Sequence, residues 1–180
     1  IENVYLKKLI PDLHVAIPKT AVIGMNEFDN FLENNNLYDV IFEDKEYNHV
    51  LEAFRTARLS EQLRNNLRKY LQVMTKPLAV RSSGLFEDSL NQPFAGVYST
   101  YLLPNNHPDI ERRLEDVENA IKLVFASIYS PESRAYFNAI DYMIEEEKMA
   151  VIIQEVIGNE HNGRYYPEIS GVAQSYNFYP

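Results

Sequence analysis

Apolar residues recur along this chain with two periods, one near 3.6 and one near 2, and the switches between them mark its elements. His14 to Ile23 alternates loosely and contains Pro18, which predicts a short strand at a sheet edge, where a missing N–H is tolerated. Asn26 reads as a helix N-cap, and Phe28, Phe31 and Leu32 follow at helical spacing until Asn34, Asn35 and Asn36 stop the run. Tyr47 to Leu59 places Val50, Leu51, Phe54 and Ala57 on one face. Ser60 predicts the cap of another helix, with Leu63, Leu67, Tyr70, Leu71 and Met74 inward and Arg64, Arg68 and Lys69 solvated. Thr75, Lys76 and Pro77 end it.

The pattern then changes. Leu78, Ala79 and Val80 form an apolar run that stops abruptly at Arg81, Ser82, Ser83 and Gly84, with Glu87 and Asp88 beyond. This predicts a strand feeding an exposed polar loop, which returns through Pro93, Phe94, Ala95 and Gly96 into a second strand over Val97 to Leu103. Pro104 to Pro108 is a turn, and Pro108 suits the first position of a helix. Ile110, Leu114, Val117, Ile121, Val124, Phe125 and Ile128 form a stripe that carries this helix from Pro108 to Ile128. Ser130, Pro131 and Glu132 open another helix through Asn138. Glu145, Glu146 and Glu147 read as a solvated turn. Met149 to Ile157 is nearly continuously apolar, the pattern of a strand buried on both faces. Gly158 to Tyr166 reads as a polar loop, and Ile169 to Ser175 as a last strand antiparallel to the one before. The fold class is α+β, with a mainly helical lead-in over residues 1–77 and the loop, strands and long helix over 78–180.

Composition narrows the partners. The 180 residues suffice for one domain with a real core, and 46% hydrophobic with 24% charged residues is an ordinary globular balance. The net charge of −9 argues against nucleic acid as a partner for the whole chain. There is no cysteine, hence no disulfide framework or thiolate metal site, and His14, His49, His107 and His161 lack ligand spacing for zinc. No apolar run reaches the ~18–20 residues that span a bilayer, so no membrane partner is expected. The chain begins at Ile1 and ends on Tyr179-Pro180, which suggests a piece of a longer protein, cytoplasmic by default.

Two places carry candidate chemistry. Arg81 ends a strand with two hydroxyls and a glycine behind it. Its guanidinium fork either takes the oxygens of a polyphosphate, with Ser82, Ser83 and Gly84 adding donors, or makes an ordinary surface ion pair. Leu85 to Pro93 is either a mobile flap anchored by Phe94 or a plain connection; Glu87 and Asp88 either approach a metal or are surface charge. Lys7 and Lys8 have no glycine before them and read as solvated charge at a helix end. The second place is Gln154, Glu155, Val156 and Ile157, where polar residues break an apolar strand near its end. Either the strand edge offers backbone groups to a flat heteroaromatic ring, with Gln154 or Glu155 on its exocyclic amine, or the strand simply surfaces there.

The order of these motifs resembles a known family. Leu78 to Ser83, then Glu87-Asp88 and Phe94-Ala95-Gly96, is similar to the V-R-S-S-x-x-x-E-D…F-A-G signature of phosphoenolpyruvate synthases, with related forms in pyruvate phosphate dikinases and rifampin phosphotransferases. Phe125 to Tyr129 with Arg134-Ala135-Tyr136 resembles the family's W-A-S-L-F…R-A-x-x-Y region. Met149 to Ile157 resembles M-A-V-V-V-Q-x-M-V, Ser170 to Ala173 resembles S-G-V-A-F, and Pro18 to Phe31 fits the V-P-x-G-F-V-I-T…F segment. The resemblance implies an ATP-grasp-like nucleotide-binding domain with a mixed or antiparallel sheet and packed helices. It implies ATP and Mg²⁺ as cofactors, with a phosphoryl group passed to a histidine on a separate domain and on to pyruvate. By motif position Arg81 contacts the ATP phosphates, Ser82 and Ser83 support it, and Gln154, Glu155 and Ile157 line the adenine edge.

The departures limit this expectation. The family's Gly-Gly-Lys motif belongs upstream of Ile1 and its acidic and glutamine metal ligands downstream of Ala173, so both are expected outside these residues. Gln174 stands where the family has phenylalanine, and Ser175 to Pro180 replaces T-R-x-P. The resemblance therefore implies one part of an ATP site, with little catalysis by residues 1–180 alone. An antibiotic or glucan acceptor, or a nucleotide-sensing module without catalysis, are the other readings.

Overall fold

A computed structural model describes residues 16–43, 46–85, 87 and 96–172. The expectations for Lys7, Lys8, His14, Asp88, Pro93 to Ala95 and Ala173 to Pro180 lie outside the described residues.

Four strands form the main sheet: β1 (Thr20–Ile23), β2 (Leu78–Gly84), β3 (Thr100–Leu103) and β4 (Met149–Glu155), in the order β1-β4-β2-β3. Every pairing in it is antiparallel. Leu78 lies opposite Glu155 on β4 and Leu103 on β3, and Arg81 opposite Ile152 and Thr100. β1 is an edge strand, as Pro18 just before it predicts. The helices are α1 (Met25–Asn34), α2 (Tyr38–Glu43), α3 (Tyr47–Thr56), α4 (Glu61–Val73), α5 (Ile110–Ala126) and α6 (Pro131–Ala139).

The alternation of β2 and β4 shows where the core sits. Leu78, Val80, Met149, Val151 and Ile153 are buried against the helices. The apolar stripe of α5, with Leu114, Ile121, Val124 and Phe125, packs on β2, β3 and β4, while α3 and α4 pack on α5. Phe125 joins the layers: its ring meets Phe28 of α1 at 5.1 Å and Phe31 at 5.5 Å, and Phe31 meets Phe54 of α3 at 5.5 Å. The opposite sheet face is less covered. Thr20, Val22, Arg81, Thr100 and Leu102 are exposed there, and Ala79, Ser83, Ala150, Ile152 and Gln154 are half-buried. Thus β4 is buried on one face and only half-covered on the other.

Local signals explain most helix ends. Ser60 accepts the Leu63 N–H at 3.1 Å and Ser130 the Ser133 N–H at 3.1 Å, as capping predicts. α1 starts one residue after Gly24, whose carbonyl accepts from Glu27 N, so Asn26 is inside the helix and is not its cap. Its end is a Schellman motif: Asn36 has φ 51°, Leu37 N donates to Leu32 O at 3.0 Å and Asn36 N to Glu33 O at 3.2 Å. Leu37 then leads into the short α2, which the asparagine run conceals in the sequence. Asp109, not Pro108, begins the long helix, because its carboxylate takes the Glu111 N–H at 2.9 Å; the last turn tightens to a 3₁₀ segment, Ser127–Tyr129. Arg64 and Arg68 are not simply solvated: they pair with Glu118 at 2.6 Å and Glu111 at 2.8 Å, fastening α4 to α5.

Four sequence readings change in the second half. Arg81, Ser82 and Ser83 belong to the strand β2 and not to a loop, because β4 pairs it through Gly84. Glu147 follows a 3₁₀ turn (Ile144–Glu146) but is buried, not solvated. The polar loop after Gly158 is a hairpin, β5 (Asn159–His161) with β6 (Arg164–Tyr166). Its Asn162-Gly163 turn has φ 52° and 76°, the left-handed pair that closes two-residue hairpins. Ile169 to Val172 is exposed and irregular, so the described part of the expected last strand is absent.

Candidate functional site

The two candidate stretches are neighbours in space because β2 and β4 are paired. Period-2 alternation sorts their side chains. Arg81 and Ser83 stand on the open face with Gln154 and Ile152. Ser82 points the other way and is buried, so it is separated from Arg81. No described carboxylate pairs with the exposed Arg81 guanidinium; the nearest candidate in sequence, Glu87, is engaged elsewhere.

Glu87 turns back onto the end of β2. Its carboxylate accepts from Ser82 Oγ at 3.4 Å and from Gly84 N at 3.2 Å. Beneath this turn Tyr98 donates to the buried Glu147 carboxylate at 2.9 Å. Burial, and then the neighbouring Glu147 charge, push the Tyr98 phenol far above its ordinary value, so it stays a donor. Gly84 is required by close approach: a Cβ there would meet Glu147 Oε1 at 2.5 Å and Tyr98 Cε2 at 2.6 Å. The Glu87 carboxylate therefore holds the point where the chain leaves β2, packed closely over Tyr98 and Glu147. Among the described residues no group of three acids or histidines converges on a metal position, and Glu87 already holds Ser82 and Gly84. The described side chains do not make a Mg²⁺ cage.

At the other end of the pair the roles of Gln154, Glu155 and Ile157 diverge. Gln154 donates to Thr20 Oγ1 at 3.0 Å across the open face. Glu155 is committed to structure: it binds Lys76 Nζ at 2.8 Å and accepts from Lys19 N at 3.4 Å, with its side chain 11% exposed. The hydrogen bond from Lys76 holds the Glu155 carboxyl below its ordinary value and lifts Lys76 above its own. Backbone bonds complete this clamp, from Glu155 N to Lys19 O and from Val156 N to Pro77 O, both at 2.9 Å. Ile157 is 53% exposed just beyond it.

A cleft of about 600 Å³ opens beside this clamp. Pro77, Leu102, Pro104 and Val156 give it apolar walls, Lys76 and Asn106 add polar groups, and the hairpin supplies Glu160, Arg164 and Tyr165. Sequence reasoning missed Lys76, Glu147 and the hairpin. Only the hairpin had a local signal, Asn162-Gly163; the partners of Lys76 and Glu147 lie far along the chain.

Comparison with known proteins bears on this arrangement. The chain is 26% identical over 149 residues to "Uncharacterized phosphotransferase YvkC" of Bacillus subtilis (strain 168), a match covering 83% of this chain and 17% of that protein. This chain thus corresponds to about a sixth of the relative's length. The profile of the "Pyruvate phosphate dikinase, AMP/ATP-binding domain" matches residues 3–179. Nearly the whole chain is covered, including both strands of the site, and the protein belongs to this AMP/ATP-binding domain family.

Proposed function

We propose that this chain forms one wall of an ATP site of ATP-grasp type, in a phosphotransferase of the phosphoenolpyruvate synthase kind. The observation that carries the reading is Arg81: an exposed guanidinium in the middle of an open sheet face, with no described carboxylate to neutralise it. Such a fork suits two oxygens of a polyphosphate. Ser83, on the same face, adds a hydroxyl; Ser82 acts from behind, by holding Glu87 and so the turn after β2.

The spacing fits a nucleotide laid along the strands. Arg81 is three residues from Leu78, which lies opposite Glu155. At about 3.3 Å per residue that separates Arg81 from the strand end by roughly 10 Å. A triphosphate on Arg81 then brings its base to the Gln154–Ile157 edge. Gln154 and the backbone near Ile157 are the groups for the base; Glu155 shapes the edge through Lys76 and Lys19.

Magnesium, when bound, would neutralise the phosphate charge and align the transferred group. Its ligands are assigned to other parts of the protein. This chain's own residues orient the phosphates and hold the base, and the histidine that takes the phosphoryl group and the pyruvate that receives it belong to other domains. The test is transfer by the full-length protein. Incubated with Mg-ATP it should form an acid-labile, base-stable phosphohistidine and convert added pyruvate to phosphoenolpyruvate. Absence of any phosphoenzyme contradicts the transfer reading, and a phosphoenzyme that ignores pyruvate but discharges to another hydroxyl compound reassigns the acceptor.

A further inference from the structure

The residues of the nucleotide reading lie on the sheet face that the helices leave less covered. A separate cavity of about 320 Å³ opens on the helical side, lined by Arg58, Leu59, Glu61, Arg64, Glu118 and Lys122. Three elements meet there. Arg58 and Leu59 belong to the connection after α3, and Glu61 and Arg64 to the start of α4. Glu118 and Lys122 stand four residues apart on one face of α5. None of the six takes part in the nucleotide reading above.

Lys122 is 9% exposed, yet among the described residues its amine pairs with no carboxylate; its Nζ donates to the Arg55 carbonyl at 3.0 Å, near the end of α3. Lysine is almost never this buried without a charged partner. Glu118, one turn away on the same helix, is taken by Arg64 at 2.6 Å, and Glu61 lies 3.5 Å from the same guanidinium. Burial holds the Lys122 amine below its ordinary value; Glu118 opposes this and Arg64 adds to it. A desolvated amine beside another cation keeps more of its neutral, nucleophilic form.

The rim supplies a holder for phosphate. Asn35 grips the Arg58 backbone at both groups, accepting from its N–H at 2.9 Å and donating to its carbonyl at 3.0 Å. The exposed Arg58 guanidinium forms no ion pair among the described residues. With both acids of the lining held by Arg64, the cavity admits an anion. We propose that Lys122 is an acylation site: a small acyl phosphate enters the cavity, Arg58 takes its phosphate oxygens, and the Lys122 amine attacks its acyl carbon. The new C–N bond forms as the C–O bond to phosphate breaks. The electron pair of that bond leaves with the phosphate, which also takes the proton lost by the amine. The products are an amide and inorganic phosphate. The amide nitrogen keeps one N–H for the Arg55 carbonyl, while the buried positive charge is removed.

The experiment exposes the full-length protein to acetyl phosphate and follows acetylation of Lys122 and of the exposed Lys69 by peptide mass mapping. Lys122 should react at least severalfold faster than Lys69. Arg58→Ala leaves the backbone grip of Asn35 in place. It should slow Lys122 severalfold with acetyl phosphate and leave its rate unchanged with acetic anhydride, which carries no phosphate. Lys122 reacting no faster than Lys69, or an acetyl phosphate rate that Arg58→Ala does not change, overturns the proposal. Equal slowing with both reagents overturns it too, because the loss then lies in access to the amine and not in phosphate recognition. All of these outcomes are independent of nucleotide binding.

Discussion

Arg81 and Ser82 are adjacent, and the pleat puts them on opposite faces of the sheet. Arg81 stands out in the sequence as a charge ending an apolar run. The inward turn of Ser82 follows once period 2 is counted from Leu78 and Val80, which share its face. Glu147 was not legible: three consecutive acids read as solvent-facing, and its partner Tyr98 is 49 residues away. Gly84 sits against both, which makes it the sharpest residue-scale prediction. Gly84→Ala should cost about 1–3 kcal/mol, because the added methyl has no room between Tyr98 and Glu147. Denaturant unfolding measures this, and an unshifted midpoint would show that the pocket yields without cost.

Among the elements, the long helix and the Ser60 and Ser130 starts were readable because caps and apolar stripes are local. The short α2 and the exact end of β4 were not, since each depends on what packs beside it. Ser60 does two things, capping α4 and donating to Glu27 Oε2 at 3.0 Å on α1. Ser60→Ala should therefore destabilise by about 1 kcal/mol or somewhat more, seen as a lower thermal midpoint, whereas Ser60→Asp should keep the cap. The clamp at the ends of β1, β2 and β4 gives a pH prediction. The folded-state value of Glu155 is lowered, so its contribution is present above the ordinary glutamate value of 4.5 and is lost as pH falls through the lower folded value. The raised Lys76 works in the opposite sense, and its contribution persists until pH rises above the ordinary lysine value of 10.5. Acid titration of Glu155→Gln should show less loss of stability below pH 4.5 than the native chain; parallel curves would remove the clamp from the account.

At the scale of the molecule, the helices cover one face of the sheet and leave Arg81, Ser83 and Gln154 on the other. The α+β class was readable from the pattern, because both periods are strong; the mixed or antiparallel sheet was what the family resemblance implied. The openness of one face was not readable: nearly continuous apolar residues in Met149 to Ile157 read as burial on both sides, whereas Ala150 and Ile152 are only half-covered. Among the described residues no carboxylate pairs with the Arg81 guanidinium on that face, which fits the proposal that another part of the protein completes the site. Residues 1–180 alone should accordingly turn over no ATP, and steady release of phosphate by them would contradict that division of labour. Ligand linkage should still appear in the full-length protein, where ATP at about 100 times its Kd adds about 2.7 kcal/mol of stability.

The most direct test of the central claim is calorimetric titration of the full-length protein and its Arg81→Ala variant with ATP and with adenosine. A charged hydrogen-bonding contact to phosphate predicts that Arg81→Ala weakens ATP by about 10- to 100-fold and leaves adenosine unchanged. Equal affinity of the two proteins for ATP would contradict the account.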